Sequence, residues 1–156
     1  MPPSLYHPNP DHSPVPRLGV GVFLVRPDGS FLIGHRVSAH GYDTWGLVGG
    51  HVEFGESPEE TAKREVYDET GLRIDSVEFA GYANSIFQNN NRHYVTLFFM
   101  ARIAQSTDPR VCEPDTTDIW KYVTLETLPP NLLQSLSDYI EKNKSTLASH
   151  IRMFAQ

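Results

Sequence analysis

The chain has 156 residues, of which 39% are hydrophobic and 21% are charged, so it can bury the core of one ordinary domain. Thirteen basic residues against nineteen acidic ones give a net charge of -6, which repels a phosphate backbone and excludes a general nucleic-acid binder. No segment has the ~18 consecutive apolar residues of a membrane span, the start lacks a secretion-signal pattern, and the single cysteine cannot form an internal disulfide. We therefore expect a cytoplasmic protein that binds neither membranes nor nucleic-acid polymers.

Proline is concentrated at the start of the chain. Residues 1–16 contain half of the twelve prolines, separated by polar residues. Such a composition favours a tail over a strand. We therefore predict a flexible Pro-rich tail over residues 1–16 and one domain over residues 17–156.

Strands are predicted in two pairs. The apolar, β-branched run that follows Arg17, a turn at residues 27–29 and a returning run predict a hairpin over residues 17–36. Residues 77–87 and 93–103 predict a second pair, with a polar tip between them.

The last third of the chain is predicted to hold a loop, a strand and a helix. Residues 104–118 contain two prolines and read as a long surface loop, and residues 119–123 predict a short strand. Leucines at helical spacing predict a helix over residues 131–144 that continues toward Phe154.

The most informative helix is predicted after residue 57. Ser57 is a suitable N-cap, Pro58 suits the first helical position, and Glu60 completes the capping-box pattern. Gly71 supplies a stop signal. These signals predict a helix of about thirteen residues.

Three carboxylates share one face of that predicted helix. Glu65, Asp68 and Glu69 lie within an arc of about 100°, where like charges cost roughly 0.2–0.5 kcal/mol per pair unless a cation binds. Oxygen ligands without sulfur or imidazole fit Mg²⁺ or Mn²⁺ better than zinc. The pattern points to metal-assisted phosphoryl chemistry, with Arg64 placed to orient a carboxylate through a bidentate contact.

The same residues carry a family resemblance. Gly50, Glu56 and the run from Arg64 to Leu72 resemble the Nudix box, G-x5-E-x7-R-E-U-x-E-E-x-G-U, in which U is aliphatic. One fixed position departs from it, because Asp68 stands where the family usually has glutamate. The alternative is a helix made acidic only for solubility, which explains the charge but not the fixed glycines and arginine.

The resemblance implies a Nudix α/β/α sandwich with a central mixed β-sheet and a Mg²⁺-dependent hydrolase activity on a nucleoside diphosphate linked to a group X, with Mn²⁺ able to replace Mg²⁺. By position, Glu65 and Glu69 would be the principal metal ligands and Asp68 an additional one. Glu56 would support or bridge the ligands, and the Gly49 carbonyl would also coordinate metal. Arg64, Glu65, Glu69 and Glu113 are the candidate catalytic residues.

Further segments are similar to MutT-like nucleoside-triphosphate diphosphatases of the family, the human one of which acts on thiopurine and oxidised nucleotides. The segments from Gly49 to Glu56 and from His93 to Thr96 occur there in the same order, whereas Gly46 and Val48 depart from it. This similarity implies hydrolysis of a nucleoside triphosphate to the monophosphate and pyrophosphate, in a homodimer by analogy. Its candidate substrate-binding residues are Arg36, Leu47, Gly49, Gly50 and Thr96.

Several of these residues have a plain structural interpretation as well. Arg36 could hold a phosphate or be a solvated charge at a strand end, and Glu113 could be a general base or an exposed loop residue. Trp45 or Trp120 could stack on a base or belong to the core, and Thr96 needs no function within a central strand.

Two other functions stay open at this stage. X could be a sugar or a second nucleoside, which would make the chain a nucleotide-sugar or dinucleotide pyrophosphatase. A Nudix-like domain could also bind a nucleotide without cleaving it. The intact Glu56, Arg64, Glu65 and Glu69 argue against that last alternative, because lost activity normally shows as substituted ligands.

Overall fold

The structure is a computed structural model that describes residues 15–87 and 91–155. Most of the predicted tail over residues 1–16 and most of the tip between the second pair of strands lie outside the described residues. None of the helices within the described ranges is long and apolar enough to cross a membrane.

A central sheet and three α-helices make up the described part of the chain. The strands are β1 (Arg17–Val25), β2 (Phe31–Arg36), β3 (Trp45–Gly46), β4 (Val48–His51), β5 (Glu78–Phe87), β6 (Arg92–Arg102) and β7 (Thr117–Val123). The helices are α1 (Pro58–Thr70), α2 (Gln134–Lys142) and α3 (Lys144–Phe154).

The sheet is mixed, as predicted. Its main path runs β3-β2-β1-β6-β5, while β4 pairs with β1 and β7 pairs with β2. The long central strands β1 and β6 are parallel, and the other pairs are antiparallel. β1 pairs with both β4 and β6, so the backbone of β4 lies next to the centre of the sheet.

Two apolar clusters cover the two faces of the sheet. On one face, Ala62 and Val66 of α1 pack with the side chains of Val22 and Leu24. On the other face, α2 and α3 contribute side chains that include Leu136 and Ile151. This arrangement of helices on both faces confirms the α/β/α sandwich.

The caps of α1 form as the sequence predicts. The Ser57 hydroxyl accepts a hydrogen bond from the Glu60 amide at 3.1 Å, and the Glu60 carboxylate accepts one from the Ser57 amide at 3.4 Å. Gly71 ends the helix with a φ of 75°, a left-handed conformation that favours glycine. The acidic face of the helix is therefore fixed in register by local signals.

The prediction of one helix over residues 131–144, continuing toward Phe154, was wrong in two respects. The amide of Trp45 donates to the Asn131 carbonyl and the amide of Leu133 donates to the Trp45 carbonyl, so this segment is extended and α2 begins only at Gln134. Asn143, with φ -112° and ψ 20°, then separates α2 from α3. Leu132 and Leu133 consequently lie ahead of the helix.

Candidate active site

Two consecutive glycines bring the backbone of β4 against β1 and α1. A Cβ at Gly49 would lie 2.0 Å from the Val20 carbonyl oxygen, and a Cβ at Gly50 would lie 2.4 Å from the carboxyl carbon of Glu65. No other residue type fits at either position without displacing a neighbour. The Gly49-Gly50 corner therefore lets the acidic face of α1 reach the backbone of the sheet.

Glu65 and Glu69 meet at this corner. Glu69 is only 5% exposed, and its Oε1 accepts a hydrogen bond from the Gly49 amide at 2.9 Å. Glu65 lies within hydrogen-bonding reach of Glu69, and burial raises the pKa of both carboxyls. The negative charge of Glu113 also raises both pKa values. A bound cation would relieve this repulsion.

Arg64 binds two of the carboxylates, Glu56 in the loop before α1 and Glu65 of the pair. Its Nε and Nη2 donate to the two Glu56 oxygens at 2.7 and 3.0 Å, and its Nη1 donates to Glu65 at 2.7 Å. The bond from Arg64 is the main reason that the Glu56 pKa falls to about 2. Arg64 thus forms the bidentate contact that the sequence suggested, and it holds Glu65 in place.

The predicted metal ligands fall into two groups. Glu65 and Glu69 lie together at the Gly49-Gly50 corner, whereas Asp68 is 44% exposed and lies 3.5 Å from Arg64. Glu56 likewise faces Arg64, and it accepts a hydrogen bond from the Thr61 hydroxyl at 2.5 Å. Within residues 15–87 and 91–155, no set of three or more acidic, histidine or cysteine side chains is already gathered around a metal-sized space.

A pocket opens beside the carboxylate pair. It is lined by all five residues predicted to bind substrate, which are Arg36, Leu47, Gly49, Gly50 and Thr96. The remaining lining residues are Gly19, Val20, Gly21, His40, His51, Phe87, Tyr94, Phe98, Leu133, Ser135 and Leu136. The pocket therefore joins a mainly apolar cleft to the acidic corner.

Comparison with known proteins agrees with this arrangement. The family model described as "NUDIX domain" matches residues 15–142. The chain belongs to the Nudix family. It is similar to the crystal structure of a MutT NUDIX hydrolase from Burkholderia pseudomallei, with 31% identity, a TM-score of 0.74, and coverage of 85% of this chain and 99% of that one.

Two curated relatives are also similar to this chain. A MutT-like protein from Streptomyces ambofaciens is 35% identical over 57% of this chain and 53% of its own length. An RNA pyrophosphohydrolase from Bartonella bacilliformis is 27% identical over 72% of this chain and 80% of its own length. The chain is a Nudix hydrolase, an enzyme class that generally uses a divalent metal.

Oxygen donors at the acidic corner of this Nudix site suit such a metal. Glu69 is buried and Glu65 is partly buried, a cation would relieve their mutual repulsion, and both side chains supply oxygen donors. Glu69 also lies in the last turn of α1, which has no basic residue. The negative end of a helix is an unfavourable place for an isolated carboxylate.

Arg36 lines the pocket near the acidic corner. Burial lowers its pKa, while the charge of Glu69 opposes that shift. Its Nη2 and Nε donate to the His40 carbonyl at 3.0 and 3.3 Å. Arg36 therefore fixes the loop that carries His40, and contact between Arg36 and a phosphate stays a prediction.

Sequence analysis missed one wall of the Nudix pocket. The ring of His40 lies 4.6 Å from that of Phe87 and 5.1 Å from that of Tyr94, measured between centroids, and His51 contacts Tyr94 from the other side. Alternation along β6 could have grouped Tyr94 with Thr96, because alternate residues of a strand share a face. No local signal points to His40.

The two tryptophans are partly buried and pack against the core. Trp45 packs against the cluster under α2 and α3, and Trp120 packs against the cluster under α1. Neither is among the residues that line the pocket. Gly46 leaves room for Leu133, whose Cδ2 would lie 3.3 Å from a Cβ at that position. Leu133 therefore forms part of the pocket edge beside Gly46.

Proposed function

We propose that this Nudix hydrolase is a nucleoside-triphosphate diphosphatase that uses Mg²⁺, with Mn²⁺ able to replace it. Water attacks a phosphorus of the substrate, one phosphoric anhydride bond breaks, and the products are a nucleoside monophosphate and pyrophosphate. The observation that carries this proposal is the opening of an apolar pocket directly at the Gly49-Gly50 corner, beside Glu65 and Glu69.

The pocket has the chemistry of a nucleobase site. Leu47, Phe98, Leu133 and Leu136 provide apolar surface, and Thr96 adds a hydroxyl among them. Small-molecule sites combine such surface with a few polar groups that fix orientation. A base in this cleft would place the phosphates of the nucleotide toward the acidic corner.

Each charged residue at the corner has a separate role in this proposal. A divalent metal held by Glu65, Glu69 and the Gly49 carbonyl would neutralise phosphate oxygens and polarise the attacking water. Arg64 holds Glu65 through its 2.7 Å bond, and the Gly49 amide holds Glu69. Glu113, an exposed residue whose charge raises the pKa of both glutamates, would take up a proton from water or add a metal ligand.

The resemblance of residues 49–56 and 93–96 to MutT-like diphosphatases supports a substrate with a normal, oxidised or thiolated base.

We also propose that the protein works in the cytoplasm as a homodimer, and that residues 1–16 lie outside a hydrolase domain formed by residues 17–156. Removal of residues 1–14 should then leave kcat unchanged, and light scattering should give twice the mass of one chain.

A substrate panel tests the proposed activity. The wild type and Glu69→Gln are incubated with Mg²⁺ and each compound, and monophosphate, pyrophosphate and phosphate are quantified. The panel comprises the common ribo- and deoxynucleoside triphosphates, 8-oxo-dGTP, 6-thio-dGTP, ADP-ribose, UDP-glucose, a dinucleoside polyphosphate and RNA with a 5′-triphosphate. Equimolar monophosphate and pyrophosphate from a nucleoside triphosphate, lost in Glu69→Gln, is the expected result.

Three outcomes would replace the proposal with another. Faster cleavage of UDP-glucose, ADP-ribose or the dinucleotide than of every triphosphate would make the chain a nucleotide-sugar or dinucleotide pyrophosphatase. Preference for the RNA end would place it with its pyrophosphohydrolase relative. Tight nucleotide binding without turnover would identify a non-catalytic module.

A further inference from the structure

A histidine near the end of β2 links two other elements of the chain. The Nε2 atom of His35 lies 2.8 Å from a carboxylate oxygen of Asp43, and its Nδ1 atom lies 2.9 Å from one of Asp118. Asp43 belongs to the loop of residues 37–44, which joins β2 to β3, and Asp118 belongs to β7. Ionised carboxylates only accept hydrogen bonds, and a neutral imidazole has a single N–H to donate. Only the protonated ring can therefore donate to both aspartates at once.

The groups around His35 favour its protonated form. The hydrogen bonds to Asp43 and Asp118 are the main causes that raise its pKa, and the charges of the same two carboxylates act in the same direction. On β3, the ring of Trp45 packs against the imidazole with 5.1 Å between centroids. Lys121 of β7 is a positive charge that opposes protonation, but its Nζ lies over the Trp45 ring, 4.2 Å from the ring centre. Below its raised pKa, His35 is thus a cation between two anions.

Asp43 has a backbone conformation that needs support from its neighbours. Its φ is 61°, in the left-handed region that residues with a Cβ rarely adopt. The Asp43 amide donates to the Arg36 carbonyl at 2.9 Å, and the Asp43 carbonyl accepts from the side-chain amide of Asn131 at 2.6 Å. Uncommon conformations persist where several surrounding contacts hold them. The bond to His35 adds the contact that ties the Asp43 side chain to β2.

The same loop carries part of the pocket wall. His40 lines the pocket, where its ring contacts two other aromatic rings. Only residues 41 and 42 separate His40 from Asp43 in the chain. Gly41 is itself closely packed, because a Cβ there would lie 2.6 Å from Cδ1 of Leu133, which also lines the pocket. A change in the position of Asp43 is therefore passed directly to the wall.

We propose that His35 is a positioning residue for the Nudix reaction: when protonated, it holds the loop of residues 37–44 in the conformation in which His40 completes the substrate pocket. The inference rests on the proposed function in taking this pocket as the nucleotide site. His35 acts through Asp43, since it is not among the described residues that line the pocket. Loss of its proton leaves one N–H for two carboxylates, and the bare ring nitrogen then faces an oxygen that repels it.

The contribution of His35 to substrate affinity should therefore depend on pH, while the chemistry at Glu65 and Glu69 is independent of His35. Because the folded-state pKa of His35 is raised, its contribution is complete below about pH 6.5 and is lost as the pH rises through the raised pKa. The histidines of the pocket are mainly neutral in this range, because burial lowers the pKa of His40 to about 4 and also lowers that of His51.

Enzyme kinetics test this role. KM and kcat of the best substrate in the panel above are measured from pH 6 to pH 9 with saturating Mg²⁺, for the wild type, His35→Gln and Asp118→Asn. We expect His35→Gln to raise KM about two- to fivefold at pH 6, with kcat within about twofold, and the wild type to approach the KM of that variant at pH 9. The amide of Asp118→Asn can donate to Nδ1 of the neutral ring while Nε2 donates to Asp43, so its KM should stay low up to pH 9.

His150→Gln is the matched control, because His150 also faces a carboxylate, that of Glu78 at 3.8 Å, but belongs to α3 and does not line the pocket. It should change neither KM nor the dependence of KM on pH, and thermal melting checks that each variant is folded. NMR without substrate follows the His35 ring and the Gly41 amide, which should titrate together in the wild type.

Three results would overturn the proposal: equal KM values for His35→Gln and the wild type at pH 6, a loss in kcat as large as the rise in KM, or a Gly41 amide that does not follow His35. If nothing is cleaved, the Kd of the tightest-binding nucleotide takes the place of KM. If the loop follows His35 and KM changes as expected, but the best substrate is not a nucleoside triphosphate, the positioning role stands and the proposed activity fails.

Discussion

Two glutamates near the ends of α1 lie under opposite conditions, Glu56 just before the helix and Glu69 in its last turn. At the N-terminal end, Glu56 receives two hydrogen bonds from Arg64 and one from Thr61, and its pKa falls to about 2. At the C-terminal end, Glu69 receives one amide hydrogen bond and lies beside the negative charge of Glu65, so its pKa rises. The Glu56 carboxylate is neutralised by Arg64, whereas the Glu69 carboxylate is available to a bound cation.

This contrast separates stability from activity along a single helix. A buried carboxylate without a positive partner destabilises the fold, and the negative end of the helix dipole adds to the cost at Glu69. Such a residue persists in a stable protein when function requires it. Substitutions at the two ends should therefore affect different measurements.

The largest effect is expected for Glu69→Gln, compared with Glu56→Gln. The amide oxygen of glutamine can still accept the hydrogen bond from Gly49, but the charge that binds metal is lost. We expect kcat to fall by at least about 100-fold, while the melting temperature in EDTA stays the same or rises. Metal titration by calorimetry should show weaker Mg²⁺ binding. An unchanged kcat would place the metal elsewhere.

Gly50→Ala tests the same end through the backbone. Its new Cβ would lie 2.4 Å from the Glu65 carboxyl carbon, so the Glu65 carboxylate must shift from its position. We expect kcat/KM to fall by about tenfold or more, because ångström-scale misplacement of catalytic groups is costly. Gly55→Ala is the control, since a Cβ there meets nothing within 4 Å although its φ of 85° adds strain. Equal losses of activity in both variants would mean that the close approach to Glu65 is unimportant.

The acidic helix was predictable from sequence because its signals are local. The capping box at Ser57 and the left-handed Gly71 lie directly at the two ends of the helix, so both signals come from residues that are adjacent to it in the sequence. The spacing of Glu65 and Glu69 fixes their shared face at 3.6 residues per turn. The difference in pKa between these two residues and Glu56 was not predictable, because it depends on which carboxylates Arg64 contacts in the folded protein.

The pocket wall could not be predicted by the same means. His40 comes from a loop held by Arg36, Phe87 from the end of β5, and Leu133 from the segment before α2. Contacts between residues this far apart in the chain depend on tertiary structure, which periodicity does not encode. The late start of α2 has the same origin, since pairing with Trp45 extends residues that have helical spacing.

The N-terminal end is tested by Arg64→Lys and Glu56→Gln, measured as free energies of unfolding in EDTA. Lysine cannot make the paired bonds of Arg64 to Glu56, so we expect a loss of about 1–3 kcal/mol at pH 7. Because the folded-state pKa of Glu56 is lowered, its contribution is complete above about pH 4.5 and is lost as the pH falls toward 2. The wild type should therefore lose its advantage over Glu56→Gln in that window. A constant difference across it would show that the pair does not stabilise the fold.

Asp68→Glu should have the smallest effect, because Asp68 lies next to Glu69 near the C-terminal end of α1 but its carboxylate lies near Arg64, as that of Glu56 does. Its carboxylate is 44% exposed and 3.5 Å from Arg64, so an added methylene meets solvent rather than the buried pair. We expect kcat to change by less than about tenfold, which corresponds to about 1.4 kcal/mol of barrier. Asp68→Asn removes the charge without lengthening the side chain, so comparing the two variants distinguishes the effect of charge from that of side-chain length. A loss in Asp68→Glu as large as that in Glu69→Gln would mean that Asp68 turns from Arg64 to the metal during turnover, and that the helix supplies three ligands instead of two.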